Sequence, residues 1–287
     1  MAKRENLSKI TDLFLISFIP LYFEILLIRW VPSCIQIVAY FTNIILISAF
    51  LGLGIGCLLA KIKFDLMRML PITMFVTVAL LMRLSRAPIK ADLLTGEHLL
   101  GFYSTQGVSF IVVIAAIFCL NALLFIPFGQ KLGICLKYFR PLIAYSINIA
   151  GSIAGILAFS YLSYLMLEPS YWFLLGLSLA LWFYMSSGKK LLLQGFIITS
   201  TLFVISGIDP SSNWSPYYKI DISPYISAKT HKVLGLFISA NNTHHQYAFN
   251  LTESSVAATP ELKHYKEIYE FPYNFIRPQS VLILGAG

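Results

Sequence analysis

The chain has 287 residues, of which 57% are hydrophobic and only 12% charged, against about 25% charged in an average soluble domain. That composition excludes a disordered chain, a coiled coil and an ordinary soluble enzyme. The formal net charge of +8 comes entirely from residues 1–207, with 15 basic and 7 acidic residues, whereas residues 208–287 carry six of each and four of the five histidines.

The basic residues of the first part lie in short connections between apolar runs. That is the pattern of membrane-protein loops rather than of a nucleic-acid surface, so no nucleic-acid partner is expected. In chain order the apolar runs fall at 12–30, 34–60, 67–83, 107–129, 142–166, 170–187 and 191–207. Each approaches the roughly 20 residues that a bilayer crossing takes, which predicts a bundle of about seven membrane helices over 1–207. The first run is no cleavable signal peptide, because it is long, lacks a small-residue cleavage site and carries Glu24 and Arg29. Lys3, Arg4, Lys9, Lys61, Lys63, Arg68, Lys131, Lys137, Arg140, Lys189 and Lys190 fall on one side, and only Arg29, Arg83, Arg86 and Lys90 on the other. The imbalance places the N-terminus inside, and an odd number of spans then places the tail outside. Dropping the 67–83 run would return the tail to the inside at the expense of the charge bias.

Glu24 lies mid-span near Pro20, and an ionisable group there is either paired with another helix or functional. Arg29 is not its simple partner, since five residues at 3.6 per turn put the two side chains about 140° apart. Arg29 is instead expected to snorkel to the interface. Gly52, Gly54 and Gly56, and Gly151 with Ser152 and Gly155, read as small-residue stripes for close helix packing. Asn148 and Ser152 share a face, and Asn121, Gly129 and Gln130 add polar points near the fourth span. Cys34, Cys57, Cys119 and Cys135 lie in or beside apolar segments without ligand spacing, which predicts free thiols and no metal.

From residue 208 the pattern changes. Strands are expected at Tyr217–Ile222, Lys232–Ser239 and His245–Asn250. A helix is expected from Thr259-Pro260 to about Phe271, ended by Pro272. His244-His245 reads as a partly exposed strand pair rather than a zinc site. Ser280–Leu284 is a continuous apolar run that fits a strand buried on both faces, and Gly285-Ala286-Gly287 follows it as the opening turn of a Rossmann-like nucleotide site. One strand cannot make a sheet, so the sequence predicts a β-rich segment over 208–279 and, over 280–287, the start of a truncated Rossmann-like domain.

The order of these features resembles the polyamine aminopropyltransferases (spermidine synthases), and in particular their membrane-embedded branch. The resemblance covers most of the chain. It rests on Trp214-Ser215-Pro216-Tyr217-Tyr218-Lys219-Ile220, His244-His245-Gln246, Tyr265 to Pro272 and Val281 to Gly287 in the tail. In the membrane part it rests on Glu24, Leu51–Cys57, Ile126-Pro127-Phe128-Gly129-Gln130 and Tyr145-Ser146-Ile147-Asn148 through Gly155.

What the resemblance implies is transfer of an aminopropyl group from decarboxylated S-adenosylmethionine to a polyamine or other amine, with the donor as co-substrate rather than a tightly held cofactor. By the same resemblance Gly285, Ala286 and Gly287 cradle the donor. Gln246 lines the donor and amine pocket, and Tyr218 and Tyr265 contact the amine. The departures are Tyr217-Tyr218 where the family has Tyr-Gln, Tyr265-Lys266-Glu267 where it has Tyr-His-Glu, and Glu261 alone where it has an acidic pair. Fewer acidic groups weaken recognition of a polycation, which counts against putrescine. The family's base, needed to take the amine's proton before attack, lies beyond the glycine loop. No catalytic residue is therefore assigned, and these 287 residues alone are expected to be inactive.

Two other functions remain open at this point. One is a transporter with an accessory tail, drawn from Glu24 and the Gly-rich helices. The other is an S-adenosylmethionine-dependent methyltransferase fused to the same bundle. The expected setting is a multi-pass protein of a bacterial inner membrane, with a homodimer as an open possibility.

Overall fold

The structure is a computed structural model that describes residues 2–87, 89–90, 107–184, 188–207, 212–227, 230–275 and 280. It divides into two compact units, one of residues up to 210 together with Trp214–Tyr218, the other of residues 211–213 and 219 onward.

The first unit is helical. Its helices are α1 (Ala2–Cys34), α2 (Asn43–Leu58), α3 (Leu70–Ser85), α4 (Phe110–Leu136), α5 (Pro141–Tyr164), α6 (Pro169–Ala180) and α7 (Gly188–Ser206). Pro71, Pro141 and Pro169 sit in the first turns of α3, α5 and α6, where the missing N–H costs nothing. A short parallel pair, β1 (Ile89–Lys90) with β2 (Val108–Ser109), lies between α3 and α4.

Among the described residues, five helical segments are long and apolar enough to cross a membrane: Leu7–Cys34, Asn43–Lys61, Leu66–Ser85, Phe110–Leu136 and Pro141–Tyr164. The sixth expected span is a shorter element, a 12-residue α6 continued by a 3₁₀ stretch at Leu181–Tyr184. The seventh coincides with α7, 19 residues from Gly188 to Ser206.

The core is built around α1. Leu13, Ile16, Ile19, Tyr22, Phe23, Leu26, Leu27 and Trp30 are buried on one half of its circumference, and Phe14, Phe18, Leu21, Ile25 and Ile28 on the other half are half-buried, so apolar residues surround the helix, as expected of a central helix. Backbone approach explains two of the packings. A Cβ on Gly151 or Gly155 of α5 would collide with the α1 carbonyls of Phe14 and Phe18. One on Gly52 or Gly56 of α2 would collide with the α4 carbonyls of Ala122 and Ile126, and one on Gly129 of α4 with the α2 carbonyl of Leu53. The α2–α4 contact is thus a reciprocal small-residue interface. Gly54 has nothing within 4 Å of where its Cβ would be. Two residues of helix are a rotation of about 200°, so the expected three-glycine stripe is two glycines on the interface and one on the outside.

These contacts also fix helix directions. Phe14 and Ser17 meet Gly151, and Tyr22 meets Phe159, so α1 and α5 run parallel. Asn121 meets Ile45 and Gly133 meets Cys57, so α2 and α4 run parallel. Gln194 bonds the Arg68 carbonyl at one end of the α3–α7 pair, and Arg83 and Phe203 lie together at the other, so these are parallel too. Against α1, α6 is antiparallel, because Trp182 donates to Asp12 while Trp172 lies by Arg29. Helix α4 is likewise antiparallel to α1, with Tyr138 by Lys9 and Phe128 by Phe23. Leu66 before α3 bonds Gln130 late in α4, and Ile89 after α3 pairs with Val108 before α4, so α3 runs against α4; within α1–α7 the odd-numbered helices therefore run one way and the even-numbered ones the other.

The second unit holds an antiparallel sheet of β4 (Lys219–Ile226), β5 (Val233–Ala240) and β6 (Thr243–Phe249), preceded in the sheet order by a two-residue β3 (Asn213–Trp214). Strand β4 runs past the expected end at Ile222, with Pro224 inside it, opposite Leu236. Among the described residues the short β3 is the neighbour of β4 on its other side, and proline is tolerated on such an edge. Helices α8 (Glu253–Ala258) and α9 (Leu262–Glu270) follow, then a 3₁₀ turn at Phe271–Asn274. Helix α8 was not foreseen. Helix α9 starts two residues after Pro260, whose carbonyl takes the Lys263 N–H at 3.1 Å. The expected strand 280–284 and the Gly285–Gly287 turn lie outside the described residues.

Candidate functional site

In the helical unit the sequence singled out Glu24 and Asn148. Glu24 is 2% exposed, and its Oε2 has no hydrogen-bond partner among the described residues. The structure gives no ion pair between Glu24 and Arg29, in keeping with their helical phase. Asn148 is half-buried on α5, and the neighbouring Ser152 hydroxyl donates to the Ser17 carbonyl at 3.5 Å. The structure does not bring Asn148 and Glu24 together by any contact.

Arg29 lies over the Trp172 ring at 4.5 Å and near the Trp214 ring at 5.8 Å. Its Nη2 donates to the Ser215 carbonyl, while Nε and Nη1 are buried without a partner among the described residues. Trp172 and Trp214 pack edge to face at 5.0 Å, and Ser163 donates to the Pro216 carbonyl at 2.9 Å. Segment Trp214–Tyr218 is therefore anchored on the helical unit through Arg29, Ser163 and Trp172. A guanidinium between two indoles gains cation–π attraction in dry surroundings, which stands in for the water it has lost. Tyr218, expected at an amine site, is exposed within this segment.

Two polar residues near the fourth span turn out to be connectors. Asn121 donates to the Ile45 carbonyl at 2.8 Å and to the Ser48 hydroxyl at 2.7 Å. Gln130 accepts from the Leu66 N–H at 2.7 Å and donates to the carbonyls of Phe64 at 2.8 Å and Leu59 at 3.3 Å. It thus ties the α2–α3 connection to α4.

In the tail unit the sheet has two unlike faces. Register pairs Ser223 with Phe237, Tyr225 with Gly235, Gly235 with Phe249 and Phe237 with Tyr247. Successive strand residues point to opposite faces, so Tyr225, Phe237, Tyr247 and Phe249 share one face. Tyr265 from α9 stacks on Phe249 at 4.3 Å, and its hydroxyl lies 3.3 Å from that of Tyr225. That hydroxyl neighbour, with a smaller contribution from burial, pushes the Tyr265 phenol up to about 12. The register shifts between Ile238 and Ser239, and this bulge brings His244 onto the aromatic face, 4.7 Å from the Tyr247 ring. His244 is therefore part of a ring cluster, and no group of three or more metal-ligating side chains occurs among the described residues.

Gln246 pairs with Ile238 and so lies on the other face, with Ile222 and Leu236. The resemblance placed Gln246 and Tyr265 in one pocket. The structure sets them on opposite faces of the sheet. Lys266, which stands where the family has His, reaches Glu270 at 3.6 Å and Glu253 at 4.0 Å. The donor-loop residues Gly285, Ala286 and Gly287 lie outside the described residues.

The aromatic cluster was the feature that sequence reading missed. Its signal was present as the alternation Tyr247, Phe249 and the aromatic residue Tyr265 on the helix that follows. Compared with models of known protein families, with curated proteins and with solved structures, the chain matches none.

Proposed function

We propose that the helical unit is embedded in a bilayer and that the tail is the amine-binding part of an aminopropyltransferase-like enzyme. The membrane reading is supported by the outside of the bundle. Ile47, Phe50 and Leu58 on α2, Ile111, Val112 and Leu123 on α4, and Leu142, Ile149, Ile153 and Leu157 on α5 are all exposed. Apolar stripes of that length far exceed the patches of a few hundred Å² that monomeric soluble proteins show. Tyr145 and Tyr161 are also exposed on α5, and 16 residues of helix separate them by about 24 Å, a spacing suited to aromatic residues at two interfaces.

The observation that carries the transferase reading is the aromatic face capped by Tyr265. Electron-rich ring faces attract ammonium groups, and polyamines are chains of such groups. The reaction would break the donor's sulfonium C–S bond and form a C–N bond to the amine. The thioether leaves, and the amine's proton passes to a carboxylate base supplied outside the described residues. The alternating helix directions place residue 207 at the end opposite the basic clusters, which the charge rule assigns to the outer side. A donor confined to the cytosol would not meet it there. The test is therefore run in sealed vesicles of each orientation made from cells expressing the full gene product. Labelled decarboxylated donor with spermidine or putrescine should yield an aminopropylated product in one orientation only. Transfer of a methyl group from S-adenosylmethionine instead would identify the methyltransferase reading, and no product in either orientation would refute both.

A transport role is favoured by one observation, the buried Glu24 carboxyl, whose Oε2 has no hydrogen-bond partner among the described residues. Radiolabelled spermidine uptake that is lost in Glu24→Gln, without any aminopropyl transfer, would select it.

A further inference from the structure

We propose that the groove between the C-terminal turns of α3 and α7 binds the phosphate headgroup of an anionic phospholipid. The proposal rests on the membrane reading of the helical unit and not on the transferase reading. The groove has a volume of about 680 Å³ and is lined by Ala79, Met82, Arg83 and Arg86 from α3 and by Phe203 and Gly207 at the end of α7. Arg83 and Arg86 are three residues apart and share a helix face. Both are exposed, and neither makes an ion pair with a described residue. The groove thus carries two guanidinium groups on one helix face, without an ion pair among the described residues.

The order of the lining along the helices matches a lipid. Arg83, Arg86 and Gly207 stand at the helix ends, where phosphates lie in a bilayer. Ala79, Met82 and Phe203 stand up to a turn further in, where acyl chains begin, and Phe203 is 78% exposed. A guanidinium offers paired donors that fit a phosphate. A Cβ on Gly207 would meet only its own helix's carbonyls, at 3.6 and 3.8 Å, so the groove stays open beside it.

The test uses the purified full chain in mixed micelles of phosphatidylglycerol and phosphatidylcholine, with bound lipid read by native mass spectrometry. The wild type should retain phosphatidylglycerol preferentially. R83Q/R86Q should lower that affinity by about fivefold per arginine, the worth of one basic residue at an anionic surface. G207L, which fills the groove and keeps both charges, should lower it as well. Equal retention of the two lipids by the wild type, or unchanged retention in both variants, overturns the proposal. Displacement of the lipid by inorganic phosphate as readily as by phosphatidylglycerol would mark a soluble-anion site and overturn the lipid assignment. Failure of the membrane reading would show separately, as protein that remains soluble without detergent.

Discussion

Single residues decide how closely the helices meet. Gly129 packs on the backbone of Leu53, and a methyl group there forces α2 and α4 apart. Gly129→Ala should therefore cost about 1–3 kcal/mol, the usual range for overpacking, as measured by denaturant unfolding in detergent. Gly54→Ala, with nothing nearby, should stay within about 0.5 kcal/mol of the wild type. Gln130→Leu removes the partner of three backbone groups in the α2–α3 connection and should cost about 1–3 kcal/mol through their lost hydrogen bonds. The G-x-x-x-G pattern was legible in the sequence, because its spacing is a helix property. The role of Gln130 was not, because its partners are 64 to 71 residues away in the chain. The partners of Arg29 were not legible for the same reason: only tertiary structure brings Trp172 and Trp214 to it.

At the scale of elements, the tail sheet and α9 form a unit around stacked rings. Gly235→Ala would press a methyl group against the Ala248 carbonyl and the Phe249 ring. It should loosen the sheet, seen as faster amide exchange in β5 and β6. The Tyr225–Tyr265 contact also sets a pH response. A phenol whose ionisation is raised in the fold stabilises it fully below its ordinary value near 10. That contribution is lost as pH climbs toward about 12, because the unfolded chain gives up the proton first. Ultraviolet titration of the wild type should show a tyrosine ionising toward about 12 that is missing in Tyr265→Phe. The strands were legible to within a few residues from alternation alone. The bulge at Ser239 was not, since it breaks the period-two rule, and so the joining of His244 to the ring cluster escaped a reading by alternation. Alternation did hold the fact that separates Gln246 from Tyr265, because Gln246 is adjacent to Tyr247 on the strand.

At the scale of the whole molecule, the account rests on seven helices that alternate in direction. Hydropathy marks seven runs; among the described residues five helical segments are long and apolar enough to cross a membrane, while α6 has 12 residues and α7 runs from Gly188 to Ser206. The directions of α6 and α7 follow from Trp172, Trp182 and Gln194, which fix which end of each helix meets which end of its neighbours. The basic residues Lys61, Lys63, Arg68, Lys131, Lys137 and Arg140 fall where α2 and α4 end and α3 and α5 begin. Arg29, Arg83 and Arg86 fall at the opposite end.

The most direct measurement is labelling with a membrane-impermeant maleimide in a cysteine-free background carrying either Asn6→Cys or Tyr217→Cys. The expected result is that Tyr217→Cys reacts in intact cells and Asn6→Cys only after the membrane is opened. Reaction of both from the same side, or recovery of both variants in the soluble fraction, would contradict a bundle that crosses the bilayer an odd number of times.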